Sequence, residues 1–278
     1  MKTAAVTWPV TVDAPVDFNL PEYFQRRRGG AMDLRSIENK SVPANLVTKI
    51  TGMFPSFAQE WMDDRTRTQA VVYLLRVERP DFLIVHLVDL DSEEHDNAPF
   101  TRESNAILEY TDELIGRMLE ALPRGYAVAL VSDHGFEKTD SEVNLAALAS
   151  KQGVIGIRAM GAVAIAETDA AAAFLRDTAK DTRYGIGRAI PKEELARFAP
   201  QYANATAVFE SSPGVLFGGD AKGEIISKPH QIGEHGHWPT RYRSVFVLWG
   251  PGIQKASLPE ISIKEIAGKL ATVLGVKL

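Results

Sequence analysis

The sequence predicts an α/β protein in which a mostly parallel sheet is covered by helices on both faces, with a second subdomain inserted. Three observations predict it. Apolar runs at 81–91, 126–131 and 244–250 are short and rich in aliphatic residues, as strands are. The segments 61–78 and 103–122 carry apolar residues at helical spacing. The resulting alternation of strand and helix argues for parallel pairing with covering helices.

In chain order, "TAAVTWPV" (3–10) reads as a short strand, and the Pro-, Asp- and Arg-rich stretch after it, to about 44, as irregular. "WMDDRTRTQAVVYLLRVE" (61–78) is a helix that Pro80 stops. "DFLIVHLVDLD" (81–91) is the next strand. The clearest amphipathic helix is 103–122, with Ile107, Tyr110, Leu114, Ile115, Met118 and Leu122 on one side. "YAVALV" (126–131) reads as a strand buried on both faces, "SVFVLWG" (244–250) as a returning strand, and 263–275 as a closing helix. Residues 141–230 differ: "VNLAALAS" and "DAAAAFLRDTAK" suggest helices, and "GAVAIA" and "ATAVFE" strands. No chemistry stands out there. The expected division is a core of residues 1–140 and 231–278, with 141–230 as an inserted cap or lid.

Composition narrows the function. A chain of 278 residues with 45% hydrophobic and 24% charged residues is ordinary for a globular protein. Its net charge of −5 argues against a general nucleic-acid surface. With no cysteine, thiolate nucleophiles and Cys-ligated zinc are excluded, so any metal falls to His and carboxylates. No apolar run approaches the ~20 residues of a membrane span. "MKTAAVTWPVTVDAP" makes a poor signal peptide, its apolar stretch being broken by Pro9.

Polar clusters follow the strands. One run leads into Asp91 and His95 in "DLDSEEHDNAP", another into Asp133 and His134, and "GEHGHWP" places His235 and His237 ahead of the last strand. Open parallel sheets bind ligands beyond the carboxyl ends of their strands. The first two clusters thus share a rim that the third could reach. Each cluster alone is more simply a turn, and it is their joint occurrence in a chain with six histidines that points to a site. Asp and His together suit a borderline ion such as Zn²⁺ or Mn²⁺, with Mg²⁺ as a further alternative. Two carboxylates and three imidazoles exceed one open zinc site and suit two ions ~4 Å apart, the arrangement that handles phosphate esters. His86, inside its strand, reads as a buried core histidine, and His230, beside Pro229, as a loop residue.

The ordered set "DLDSEEH", "VSDHGF" and "GEHGHWP…FVLWGPGI" resembles the alkaline phosphatase superfamily, in its type I phosphodiesterase/nucleotide pyrophosphatase branch. The likeness runs from "AAVTWP" to the C-terminus. It implies an alkaline-phosphatase-like fold and two zinc ions. One ion would be held by Asp91, His95 and His235, with His237 as the substitute ligand. The other would take Asp133 and His134 plus an earlier Asp and a Thr or Ser nucleophile. Gly135 would let the backbone turn away from that pair.

The family's earlier Asp and nucleophile precede the "TWP" strand, at which this sequence begins. Thr51 and Ser56, in "KITGMFPSF", only superficially resemble a nucleophile loop, having no strand-borne Asp before them. Glu94 and Ala98 stand where the family usually has glycines. The expectation is therefore a phosphate-ester hydrolase acting on a small phosphate ester or nucleotide, of which these residues hold one metal firmly and alone turn over little. The alternatives are a metal-binding domain without turnover, a phosphomonoesterase or sulfatase of the same superfamily, and a flavodoxin-like module with coincidental Asp/His clusters.

Overall fold

In the computed structural model, residues 1–24, 32–59, 61–220 and 222–277 are described, and they divide into two compact units. The first comprises residues 1–93, 102–128 and 249–256. Its sheet has the order β2-β1-β3, with β1 (Thr3–Val6), β2 (Phe18–Leu20) and β3 (Phe82–Val85) all parallel. β1 stops at Val6 because Thr7 turns left-handed, with φ 46°, and its hydroxyl donates to the His86 carbonyl at 3.1 Å.

The helices of this unit are α1 (Leu34–Glu38), α2 (Leu46–Met53), α3 (Asp64–Tyr73) and α5 (Arg102–Ala121), together with the start of α4 (Asp89–Asn97), whose residues from Glu94 on belong to the second unit. The stretch expected to be irregular thus contains β2 and α1, while its residues 25–31 lie outside those described. α3 is capped by Asp63, whose carboxylate accepts the Thr66 N–H at 2.7 Å. It continues into a π-helical turn over Leu74–Glu78 and ends at left-handed Arg79. Apolar side chains from the sheet, α2, α3 and α5, among them Val6, Leu20, Ile50, Leu74 and Met118, form one core.

The expected strand 81–91 is shorter than its apolar pattern. Past Val85 the chain turns, and "DLDSEEHDN" becomes α4, so Asp91 and His95 stand on a helix rather than beyond a strand end. The segment has one apolar residue to bury, and acidic residues in a first helical turn favour the helix dipole. His86 is half-buried, not buried as expected, because it lies past the end of β3; its Nδ1 is nonetheless shut off from solvent.

The second unit comprises residues 94–101, 129–248 and 257–278. β4 (Val128–Val131) is followed by β5 (Glu137–Lys138), β6 (Ser141–Asn144), α6 (Leu145–Ser150), β7 (Ile157–Met160), β8 (Val163–Ala166), α7 (Asp169–Thr178), β9 (Ile186–Ala189) and α8 (Lys192–Phe198). Then come β10 (Ala207–Ser211), β11 (Val215–Gly218), β12 (Ile226–Ser227), β13 (Gly233–Glu234), β14 (Phe246–Trp249) and α9 (Ile266–Leu274). A four-stranded antiparallel sheet, β7-β8-β10-β9, is packed by α7 through Phe174 and Leu175 on one side. Ile165, Leu195, Val208 and Trp238 form a further core cluster. β6 pairs in parallel with β11 and antiparallel with β12; β5 pairs with β13, and β4 with β14.

One mostly parallel sheet is therefore not what the described residues form: the strands fall into small sheets of mixed direction. Residue pattern marks a strand's existence, whereas its neighbour is chosen by distant chain. β4 is not buried on both faces, since Leu130 and Val131 are about two-fifths exposed in a two-stranded ribbon.

Candidate metal centre

Local sequence sets each donor in the second unit. β4 delivers Ser132 and Asp133, and this corner is tied to the approach of β14: the Ser132 N–H donates to the Val245 carbonyl at 3.0 Å and the Val245 N–H to the Ser132 hydroxyl at 2.9 Å. Ser244 adds a bond from its hydroxyl to the Asp133 carbonyl. His134 follows, its N–H donating to Asp133 Oδ1 at 3.1 Å. Gly135 does not carry the turn by a left-handed backbone. Its glycine suits a close approach instead, since a Cβ there would lie 3.3 Å from Cβ of Tyr242.

The antiparallel pair β5/β13, with Glu137 opposite Glu234, lays the strand leading from His134 beside the strand leading into His235. β13 in turn lies directly on the last turn of α4. The Ile232 N–H donates to the His95 carbonyl at 3.0 Å, and a Cβ on Gly233 would run into the Glu94 carbonyl oxygen and Cα of Ala98. Only a glycine permits so close an approach.

The imidazoles gather as a result. The rings of His134 and His235 stack with centroids 3.9 Å apart, and His95 lies 5.0 Å from His235. Phe136 closes the group edge-on, 4.8 Å from His95 and 5.2 Å from His235. Donor atoms of His95, Glu234 and His235 all lie within 4.8 Å of one another. Tetrahedral ligation at ~2.0–2.2 Å requires donors near ~3.4 Å from one another, so small side-chain rotations suffice. Two imidazoles and a carboxylate are a donor set that zinc accepts, and the residues fit such an ion.

His95 is oriented from behind. Its Nδ1 lies 3.0 Å from the Gly233 carbonyl, so the tautomer that donates there leaves Nε2 with the lone pair a metal needs. Glu234 Oε1 accepts the His235 N–H at 3.0 Å and lies 3.8 Å from His95 Nδ1. Glu234 was not among the sequence-predicted residues, although it immediately precedes His235 in "GEHGH". Asp133 remains well exposed, with Oδ2 3.4 Å from His134 Nε2.

His237 engages other partners. Its Nε2 lies 3.2 Å from the Glu234 carbonyl, its ring meets Tyr242, and its Nδ1 is buried without a partner among the described residues. Burial pushes its imidazole below the ordinary range. Asp91 stands on α4 in the first unit, four residues and about one helical turn before His95. Thr51 lies within α2, its hydroxyl bonded back to the Val47 carbonyl at 2.9 Å, and Ser56 is exposed beyond that helix.

Residues 1–239 match the family model of type I phosphodiesterase/nucleotide pyrophosphatase. The chain belongs to that family. Among solved structures, the type I phosphodiesterase fold recurs in human ectonucleotide pyrophosphatase/phosphodiesterase 5, with a TM-score of 0.62 and 13% identity over 99% of this chain and 67% of that one. Phosphonoacetate hydrolase from Sinorhizobium meliloti 1021, in complex with phosphonoformate, matches with a TM-score of 0.60 and 15% identity over 91% of this chain and 67% of that one. An inactive variant of murine ectonucleotide pyrophosphatase/phosphodiesterase 5 in complex with AMP gives 0.55 and 14% over 99% and 67%. The chain thus spans about two thirds of the length of these proteins. At such identities they speak for the shared α/β fold. No curated protein matches the chain in sequence. No described helix is long and apolar enough to cross a membrane.

Proposed function

We propose that this family member is a metal-dependent phosphate-ester hydrolase of the phosphodiester/nucleotide pyrophosphatase type, acting on a small nucleotide-like ester. The observation that carries this reading is the gathering of His95, Glu234 and His235, with His134 stacked on His235, in a chain of this family. In the proposal Asp91, His95 and His235 hold one Zn²⁺, with the Glu234 carboxylate as a further donor beside it, and Asp133 and His134 contribute to a second. Bound there, such ions would supply positive charge that polarises a phosphoryl oxygen and offsets negative charge on the oxygens around phosphorus.

The chain's own residues do the remaining work. The Gly233 carbonyl fixes the His95 tautomer, Glu234 anchors the backbone of His235, and Phe136 keeps one side of the group apolar. Residues 141–230 are proposed as the cap that shapes access for the ester. AMP in the murine relative supports a nucleotide as substrate class. Thr51 is given no nucleophilic role, because its hydroxyl is committed within α2.

Titration calorimetry with Zn²⁺ and Mn²⁺ tests the site. His95→Ala and His235→Ala should each abolish tight binding, while unchanged affinity in both would overturn the assignment. Hydrolysis of a chromogenic phosphodiester, compared with the matching monoester, tests the reaction. Robust turnover abolished by Thr51→Ala would show that Thr51 is the nucleophile after all, and preference for the monoester would move the chain to the phosphomonoesterase class.

A further inference from the structure

α4 presents a mechanical problem. It bears Asp91 and His95, yet none of its residues is buried. Helices are ordinarily held by packing an apolar face, and this one has none to pack. Something other than burial must fix its start.

The first unit shows what does. Asp64, at the start of α3, is 1% exposed, and its carboxylate accepts the N–H groups where α4 begins. Oδ1 takes the Val88 N–H at 2.9 Å, and Oδ2 takes that of Asp89 at 3.0 Å. These are among the unpaired donors every helix start exposes. The arrangement is reciprocal, since the Asp89 carboxylate accepts the Asp64 N–H at 2.9 Å, so two helix starts cap each other. Arg67, 4% exposed, donates Nη1 to Asp64 Oδ1 at 2.8 Å and Nε to the Thr7 hydroxyl at 3.1 Å. Thr7 itself bonds the His86 carbonyl, so the cap is anchored to the ends of β1 and β3.

We infer that Asp64, braced by Arg67, is a positioning residue: it holds the start of α4 and thereby fixes where Asp91 presents its carboxylate to a metal. The inference rests on the proposed metal centre. A buried carboxylate paired with a buried guanidinium is expensive to keep unless each atom is hydrogen-bonded. Here the partners of Asp64 include the N–H groups of the very helix that lacks a core anchor. Ordinary capping could have been met by Asp63, which already serves α3.

The test compares Asp64→Asn, the double variant Asp64→Asn/Arg67→Gln, and Asp63→Ala. An asparagine oxygen can replace one accepting oxygen, while its NH₂ group faces the other N–H. The double variant removes both charges together and leaves neither buried alone. Zn²⁺ affinity should fall about tenfold or more in both Asp64 variants, the scale of lost support behind a metal ligand. Hydrogen exchange at Val88 and Asp89 should accelerate alongside, and Asp63→Ala should change neither. Folded Asp64 variants that bind Zn²⁺ within twofold of the parent protein would overturn the inference. So would failure of both to fold, which would make the role purely structural. If the parent protein binds no Zn²⁺, the proposed function fails, and unchanged exchange at Val88 and Asp89 would then refute Asp64's hold on α4 separately.

Discussion

Replacing Gly233 with alanine would put a methyl group where the Glu94 carbonyl oxygen and Cα of Ala98 already lie. Both obstacles are backbone, so neither can rotate aside, and β13 must lift off α4. Overpacking costs ~1–3 kcal/mol, and a backbone-on-backbone clash belongs near the upper end, about 3 kcal/mol. At ~2–4 °C per kcal/mol for a folding unit of this size, Tm should fall by about 6–12 °C. The same displacement breaks the hydrogen bond between His95 Nδ1 and the Gly233 carbonyl. Zn²⁺ affinity should therefore drop by roughly 10–100-fold, as when a group behind a metal ligand is lost. Calorimetric unfolding and Zn²⁺ titration read the two effects independently. A Gly233→Ala protein with unchanged Tm and unchanged Zn²⁺ affinity would refute the claim that close approach of β13 to α4 builds the site.

Leu114, fully buried on α5, should lose about 2–5 kcal/mol of stability on substitution by alanine, read as a lower denaturant midpoint at constant m-value; a loss below ~1 kcal/mol would show that this face of α5 is not packed as described. Tyr73 supplies a pH signature: burial, then its hydrogen bond to the Glu78 carboxylate, pushes its phenol up to about 12. The unfolded phenol ionises near ~10, so between those values the unfolded chain binds fewer protons and stability falls as pH rises. Tyr73→Phe should flatten that decline in denaturation curves taken from pH 10 to 12, and an unaltered slope would assign the loss to other groups.

What the sequence determined by itself is whatever repeats locally. The apolar spacing of 103–122 marked α5, with Leu114 and Met118 on its buried side, because helical periodicity needs no knowledge of distant chain. The Asp/His clusters were legible for a similar reason: acids and imidazoles at the ends of apolar runs are a strong enough chemical signal to bring the family into view. The same reasoning misplaced Asp91 and His95 beyond a strand, because nothing within "DLDSEEHDN" shows that a carboxylate 25 residues earlier caps its first turn. It also passed over Glu234, whose place in the group depends on the β5/β13 pairing and on how closely Gly233 meets α4. Such contacts join residues far apart in sequence, as His95 and Gly233 are at a separation of 138 positions. Local pattern therefore gave the helices and the donor types, whereas only the tertiary structure decided which donors meet, since backbone approach and hydrogen-bond direction exist only once distant segments are packed.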